Sequence, residues 1–195
     1  TPVDARMVPQ FAYIHKPDGT GDLRYYGIPD TGPLPEQVNF PLVEDDSDRA
    51  DFNCLFFGDT QPYSNRHLSY VREVAGDFLA TRDNADTECV VMQGDIAGDD
   101  LSLMPRLQEI LSVGAVPVYG APGNHDYDFD ASSDADSMDT FRRQWGADYY
   151  SFDIGNVHFV VLDDVRYPCT EHDFCAGDEP TYNGVISDEQ MTWLE

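Results

Sequence analysis

The run Val116-Pro117-Val118-Tyr119-Gly120-Ala121-Pro122-Gly123-Asn124-His125-Asp126 decides how this chain reads. A mostly apolar stretch, Val116 to Tyr119, gives way to a turn and then to a cluster of polar side chains. Short apolar runs bounded by Gly and Pro read as buried strands. Two upstream segments repeat the form. Phe52-Asn53-Cys54-Leu55-Phe56-Phe57 ends in Gly58-Asp59-Thr60-Gln61, and Glu88-Cys89-Val90-Val91-Met92-Gln93 ends in Gly94-Asp95-Ile96-Ala97-Gly98-Asp99. In α/β sheets ligands collect outside the carboxyl ends of the strands. The three polar clusters are therefore predicted to meet on one edge of one sheet.

Between and after these strands the period changes. Val71, Val74, Ala75, Phe78 and Leu79 predict a helix over 70–81. Leu103, Leu107, Ile110 and Leu111 predict a second, with Pro105 near its start and Gly114 past its end. Met138, Phe141 and Trp145 mark a third, stopped by Gly146. Tyr149–Asp153 and Val157–Leu162 then read as a hairpin around Gly155-Asn156. Ser187-Asp188-Glu189-Gln190 is a capping box that opens a last helix. That helix reaches Glu195 after about two turns, where helices average roughly three, so the chain is expected to be truncated at its C-terminus. Residues 1–48 show no helical period. Gln10–His15 and Leu23–Tyr26 read as strands that pair around Pro17-Asp18-Gly19, followed by an extended, proline-rich lead-in. The expected organisation is the end of a small β domain plus linker over 1–48, then an incomplete α/β domain over 49–195.

The chain has 195 residues, 37 acidic against 11 basic, and a formal net charge of -26. With 41% hydrophobic residues it can bury a core, yet no window is long and apolar enough for a transmembrane helix. Long-range repulsion from so acidic a chain makes nucleic acid and anionic membranes poor partners. Cys54 and Cys89 lie in apolar strands and read as small hydrophobes. Cys169 and Cys175 share a polar loop at a spacing that suits a local disulfide, which implies an oxidising compartment and export.

Asp59, Asp95 and Asn124 are oxygen donors suited to hard or borderline cations, and an extended backbone would aim Gln61 alongside Asp59. Asp95, on the central strand, is the natural bridge between two ions. His125 follows Asn124 directly and is assigned to the substrate, to stabilise charge or protonate the leaving oxygen. Asp126 is read as the carboxylate that holds the imidazole in one tautomer. The acids Asp126, Asp128, Asp130, Asp134, Asp136 and Asp139 form either a calcium loop or an acidic surface. Ala131 stands where an EF-hand needs glycine and Ser137 where it needs its last ligand. His158 reads as structural and His172 as a loop residue, while His15 and His67 lie outside the three strand ends.

Gly58-Asp59-Thr60-Gln61, Gly94-Asp95 and Gly123-Asn124-His125-Asp126 resemble the first three blocks of the calcineurin-like metallophosphoesterases, over 51–195. The proline-rich lead-in, Tyr149-Tyr150-Ser151-Phe152 and Gly155-Asn156-Val157-His158-Phe159 are similar to bacterial exported members with an N-terminal immunoglobulin-like domain. The resemblance implies a four-layer α/β/β/α sandwich and a dinuclear centre of two divalent ions (Mn, Fe, Zn or Mg). By position, Asp59 and Gln61 would bind the first metal, Asp95 both and Asn124 the second. His125 would be catalytic with Asp126 as its partner. The implied activity is hydrolysis of a small phosphorylated substrate, a phosphomonoester or phosphodiester, by metal-bound hydroxide. Two departures stand out: Gln61 occupies a position where histidine is common, and the later histidine blocks are absent. Separately, Ile96-Ala97-Gly98 lacks the tyrosine of the purple acid phosphatases, which argues against a redox iron pair. The alternative is a non-catalytic fragment or an acidic metal-binding module.

Overall fold

The computed structural model describes residues 2–42, 50–169 and 181–195. At its centre lies a parallel sheet of β1 (Asn53–Gly58), β2 (Thr87–Gln93) and β3 (Val118–Ala121), in the order β1-β2-β3. Gly58 stands opposite Gln93 and Gln93 opposite Ala121, so all three strands end level. The loops that carry Asp59, Asp95 and Asn124 therefore leave the sheet side by side.

The period-2 alternation of a strand decides what covers each face. Val90, Met92 and Val118 enter one core with Leu68, Leu79, Met104, Leu107 and Phe141. Cys89, Val91 and Tyr119 enter another with Tyr150, Ile154 and Val161. The first face is covered by helices. α1 (Asn65–Val71) runs through a π-helical turn, Arg72–Gly76, into α2 (Asp77–Thr81). It starts earlier than the apolar spacing suggests, because Ser64 caps it by accepting from His67 N at 3.3 Å. At Gly76 a β-carbon would lie 3.1 Å from Ile110 Cγ2, so the missing side chain lets this run close on α3 (Met104–Leu111). Each fully buried leucine here, such as Leu68, Leu79, Leu107 and Leu111, contributes roughly 1.5–3 kcal/mol. α4 (Asp134–Ser137) and α5 (Asp139–Trp145) follow β3. Gly146, at φ 91, ends α5 where a side chain would be strained.

The second face is covered by an antiparallel hairpin, β4 (Tyr150–Ile154) and β5 (Val157–Val161). Tyr119 stacks on Phe152 at 3.9 Å, and Phe152 on Phe159 at 4.8 Å. Beyond it, β6 (Val165–Cys169) pairs with β7 (Thr181–Gly184), and α6 (Asp188–Leu194) closes the described chain. Ser187 caps α6 as expected, accepting from Gln190 N at 3.2 Å. The Gln190 side chain clamps the Asp163 backbone, accepting from its N–H at 3.0 Å and donating to its carbonyl at 2.7 Å. The described residues thus form a mixed α/β unit in which helices, parallel sheet and hairpin pack in that order. Among them no helix is long and apolar enough to cross a membrane.

Two expectations need correction. Gln10–His15 and Leu23–Tyr26 form no strands, and among the described residues here the bridge is between Val3 and Pro9. The segment instead spends its polar groups on the α/β unit. Met7 carbonyl accepts from Val118 N at 2.8 Å, and Val8 is buried in the helical core. Lys16 Nζ pairs with Asp136 at 2.5 Å and with Asp139, Thr20 Oγ1 donates to Asp139 at 2.7 Å, and Gly27 N donates to Thr140 Oγ1 at 3.2 Å. The second correction concerns Cys54 and Cys89, which are joined as a disulfide. They are register partners on adjacent strands with Cα atoms 4.7 Å apart, within bridging distance. The expected Cys169–Cys175 pairing lies outside the described residues, as does His172.

Candidate active site

Backbone hydrogen bonds sew the three strand-end loops together. Asp59 N donates to Gly94 O at 3.3 Å, Gln61 N to Asp95 O at 2.9 Å and Gly98 N to Pro62 O at 3.2 Å, which ties the first loop to the second. Asp99 N donates to His125 O at 3.3 Å, which ties the second to the third. The second and third loops touch so closely that a β-carbon at Gly123 would overlap the Asp95 backbone nitrogen and carboxylate. Only glycine fits there. The chain turns sharply at each loop: Asp59 (φ 54), Gln61 (φ 37), Asp95 (φ 46) and Asp99 (φ 65) all have left-handed backbones. The extended backbone expected between Asp59 and Gln61 is therefore absent.

These loops bring Asp59, Gln61, Asp95, Asn124 and His125 to one edge of the sheet. The Asp95 carboxylate accepts from Gln61 Nε2 and from His125 N, each at 3.1 Å. Asp59 makes no side-chain hydrogen bond among the described residues and faces a cleft of about 690 Å³, whose near wall also includes Asp95, Gly123 and Asn124. Phe56, Val91, Phe152 and Phe159 line the cleft further in. The His125 ring is turned toward Asp99 and Tyr63. Its Nδ1–H donates to Asp99 Oδ1 at 2.7 Å, and the His125 and Tyr63 rings meet edge to face with centroids 6.3 Å apart.

Asp126 does not serve His125. Its carboxylate is fully buried and accepts from three backbone N–H groups: Ile96 at 3.0 Å, Ala97 at 2.8 Å and Gly123 at 2.9 Å. Burial pushes its carboxyl up to about 7, against the pull of those three donors. It acts as a peg that holds the second loop against the third. The imidazole partner is Asp99, which sits four residues beyond Asp95 in the same loop.

Among the described residues the acidic stretch after Asp126 gathers no metal-binding cluster; Asp130 and Asp134 are exposed, as an acidic surface loop requires, while Asp128 and Asp139 are buried. Asp128 is buried and accepts from Thr140 N and Oγ1, Asp130 accepts from Arg24 N, and Asp134 accepts from Tyr167 N. Asp136 and Asp139 are taken by Lys16, with Arg142 also on Asp139. His158 pairs across the hairpin with Asp153 at 2.7 Å. His67 stands nearer the site than its sequence position suggests. It meets Tyr63 edge-on at 6.2 Å, so one ring separates it from His125.

Among the described residues no three His, Cys, Asp or Glu side chains converge closely enough to hold a metal ion. The donors at the strand ends are two carboxylates and two amides, Asp59, Asp95, Gln61 and Asn124. All are oxygen donors of the kind hard divalent cations take. Among the described residues the Asp59 carboxylate has no side-chain partner and no Lys or Arg lines the cleft, which suits a cation. Four donors are fewer than two ions require, so they fit part of such a centre.

No protein-family model matches the chain. It is 42% identical over 81 residues to the serine/threonine-protein phosphatase CPPED1 of Pongo abelii, an alignment covering 42% of this chain and 22% of that protein. Among solved structures it is similar to the purple acid phosphatase PPD1 from yellow lupin (Lupinus luteus) seeds. The TM-score is 0.38 and the identity 18%, over 55% of this chain and 23% of that one. The chain thus spans less than a quarter of the length of either protein.

Proposed function

We propose that the chain is a metal-dependent phosphoric ester hydrolase, of the calcineurin-like type that its strand-end motifs resemble. The carrying observation is the convergence of Asp59, Asp95 and Asn124 on one cleft wall, beside a histidine braced by Asp99. The likeness to a phosphatase over 81 residues supports the same reaction class. Asp59, Gln61, Asp95 and Asn124 would hold divalent cations, with Asp95 shared between two. Cations held there supply charge neutralisation at the phosphoryl oxygens and lower the pKa of bound water. His125 gives the leaving alcohol oxygen its proton from Nε2, since Nδ1–H is committed to Asp99. In the net reaction water oxygen bonds to phosphorus and the P–O ester bond breaks. Asp126 keeps the loops in register. We further propose that α6, which leaves Met191, Trp193 and Leu194 about half exposed, begins the outer layer of a four-layer sandwich. Export to an oxidising compartment is proposed on the strength of the Cys54–Cys89 disulfide.

The test is calorimetric titration of the purified chain with Mn²⁺ and Zn²⁺, beside hydrolysis of 4-nitrophenyl phosphate. Metal binding and turnover that are both lost in Asp95→Ala support the reading. Metal binding without turnover supports the acidic metal-binding module instead. Binding unaffected by Asp95→Ala refutes the site.

A further inference from the structure

Tyr63 is two residues past Gln61, between the first strand-end loop and α1. Its ring lies 6.3 Å from the His125 ring at an interplanar angle of 77°. Much holds it there. Tyr63 N donates to His67 Nδ1 at 3.3 Å, and the His67 ring meets it edge-on at 6.2 Å. The absence of a side chain at Gly98 makes room for it, since a β-carbon there would lie 2.8 Å from Tyr63 Cε1. Behind it His67 stacks on Tyr70 at 6.2 Å, with the Arg66 guanidinium 6.0 Å over the Tyr70 ring. Yet this fixed ring is 48% exposed. Core packing does not explain it, because half its surface meets solvent beside the candidate catalytic imidazole.

A rigid, half-exposed aromatic residue offers a planar group a surface to stack on at small entropic cost. The distance to His125 decides which planar group. Tyr63 is one ring away from the proton donor, so a group stacked on it lies close to the ester oxygen that His125 protonates. A nucleobase, held off from its phosphate by a sugar, would reach past it. We propose that Tyr63 is a specificity-determining residue that stacks on the leaving group, and that the preferred substrates are aryl phosphoesters. This rests on the phosphoesterase reading above.

The experiment compares phenyl phosphate with methyl phosphate for the wild-type chain, Tyr63→Phe and Tyr63→Leu, with added Mn²⁺. The readout is the ratio of the two kcat/KM values, which cancels effects of folding or metal content common to both substrates. Tyr63→Leu is expected to lower the aryl-to-alkyl ratio about five- to tenfold, and Tyr63→Phe, which keeps the ring, to preserve it. An unchanged ratio in Tyr63→Leu overturns the stacking role while leaving the phosphoesterase reading in place. Wild-type hydrolysis of neither ester overturns that reading, and this one with it.

Discussion

Asp126→Ala is the most informative single substitution. The carboxylate accepts from Ile96 N, Ala97 N and Gly123 N. Ile96 and Ala97 are buried, whereas Gly123 is partly exposed and water can replace its lost acceptor. Each orphaned buried donor costs about 1–3 kcal/mol, so the two buried ones together cost about 2–6 kcal/mol. Removing a carboxylate that burial already drives up to about 7 offsets part of this, so the expected loss is about 2–4 kcal/mol. Against the total stability of a domain, about 5–15 kcal/mol, that loss is large. Urea denaturation followed by circular dichroism at pH 7.5 measures it, as a lowered midpoint with unchanged slope. Asp126→Asn is expected to fall between, because its single oxygen can replace Oδ2, which takes two of the three bonds, while its amide group opposes the Ala97 N–H. A stability for Asp126→Ala within about 0.5 kcal/mol of the wild type, together with lost hydrolysis, would refute the reasoning. The carboxylate would then serve His125, as the adjacency of the two residues suggests.

Asp99→Ala removes the group that orients His125 and is expected to lower kcat about 10–100-fold with the urea midpoint nearly unchanged; equal activity would show that the imidazole orients itself. Reducing the Cys54–Cys89 bridge, which spans 35 residues, is expected to cost about 4 kcal/mol by loop entropy, read as a lower thermal midpoint in reductant. Stability is also expected to fall as pH rises. Burial holds Asp128 and Asp163 up to about 6 against a usual 3.8. The folded chain therefore binds more protons than the unfolded one between those values, and loses stability across that window. Asp136, held below the usual range by Lys16, contributes stability that is lost only in more acid solution, below about 3.8. The thermal midpoint should therefore be higher at pH 5 than at pH 7.5, and a midpoint that rises over that interval would contradict this.

Strands β1 to β5, the main helices and the convergence of the loops that carry Asp59, Asp95 and Asn124 are legible because they rest on local patterns, whereas β6 and β7 fall in a stretch that reads as polar loop. An apolar run closed by Gly-Asp has a strong local reading, and so does Gly155-Asn156 between alternating strands. What failed depends on register or on distant partners. The Cys54–Cys89 bridge follows from a pairing offset that neither strand reveals alone. The N-terminal segment reads as pairing strands because two short apolar runs flank the Pro17-Asp18-Gly19 turn. Its true partners, Asp136, Asp139 and Thr140, lie more than 100 residues away. Asp126 was assigned to His125 by adjacency, yet the carboxylate turns inward to the backbone of another loop. Asp99 and Tyr63 come to His125 through loop geometry, and their one local hint is that each closely follows a strand-end acid or amide.

Four of the seven non-glycine residues with positive φ among the described residues are Asp59, Gln61, Asp95 and Asp99. A side chain in that conformation costs about 1 kcal/mol relative to glycine. Selection on heat resistance alone would therefore favour glycine at all four positions, and each such step would delete a candidate ligand or the brace on His125. At these four positions the proposed chemistry and durability pull in opposite directions. A mutational scan scored separately for abundance and for turnover would make that conflict visible, with the same glycine variants at opposite ends of the two rankings.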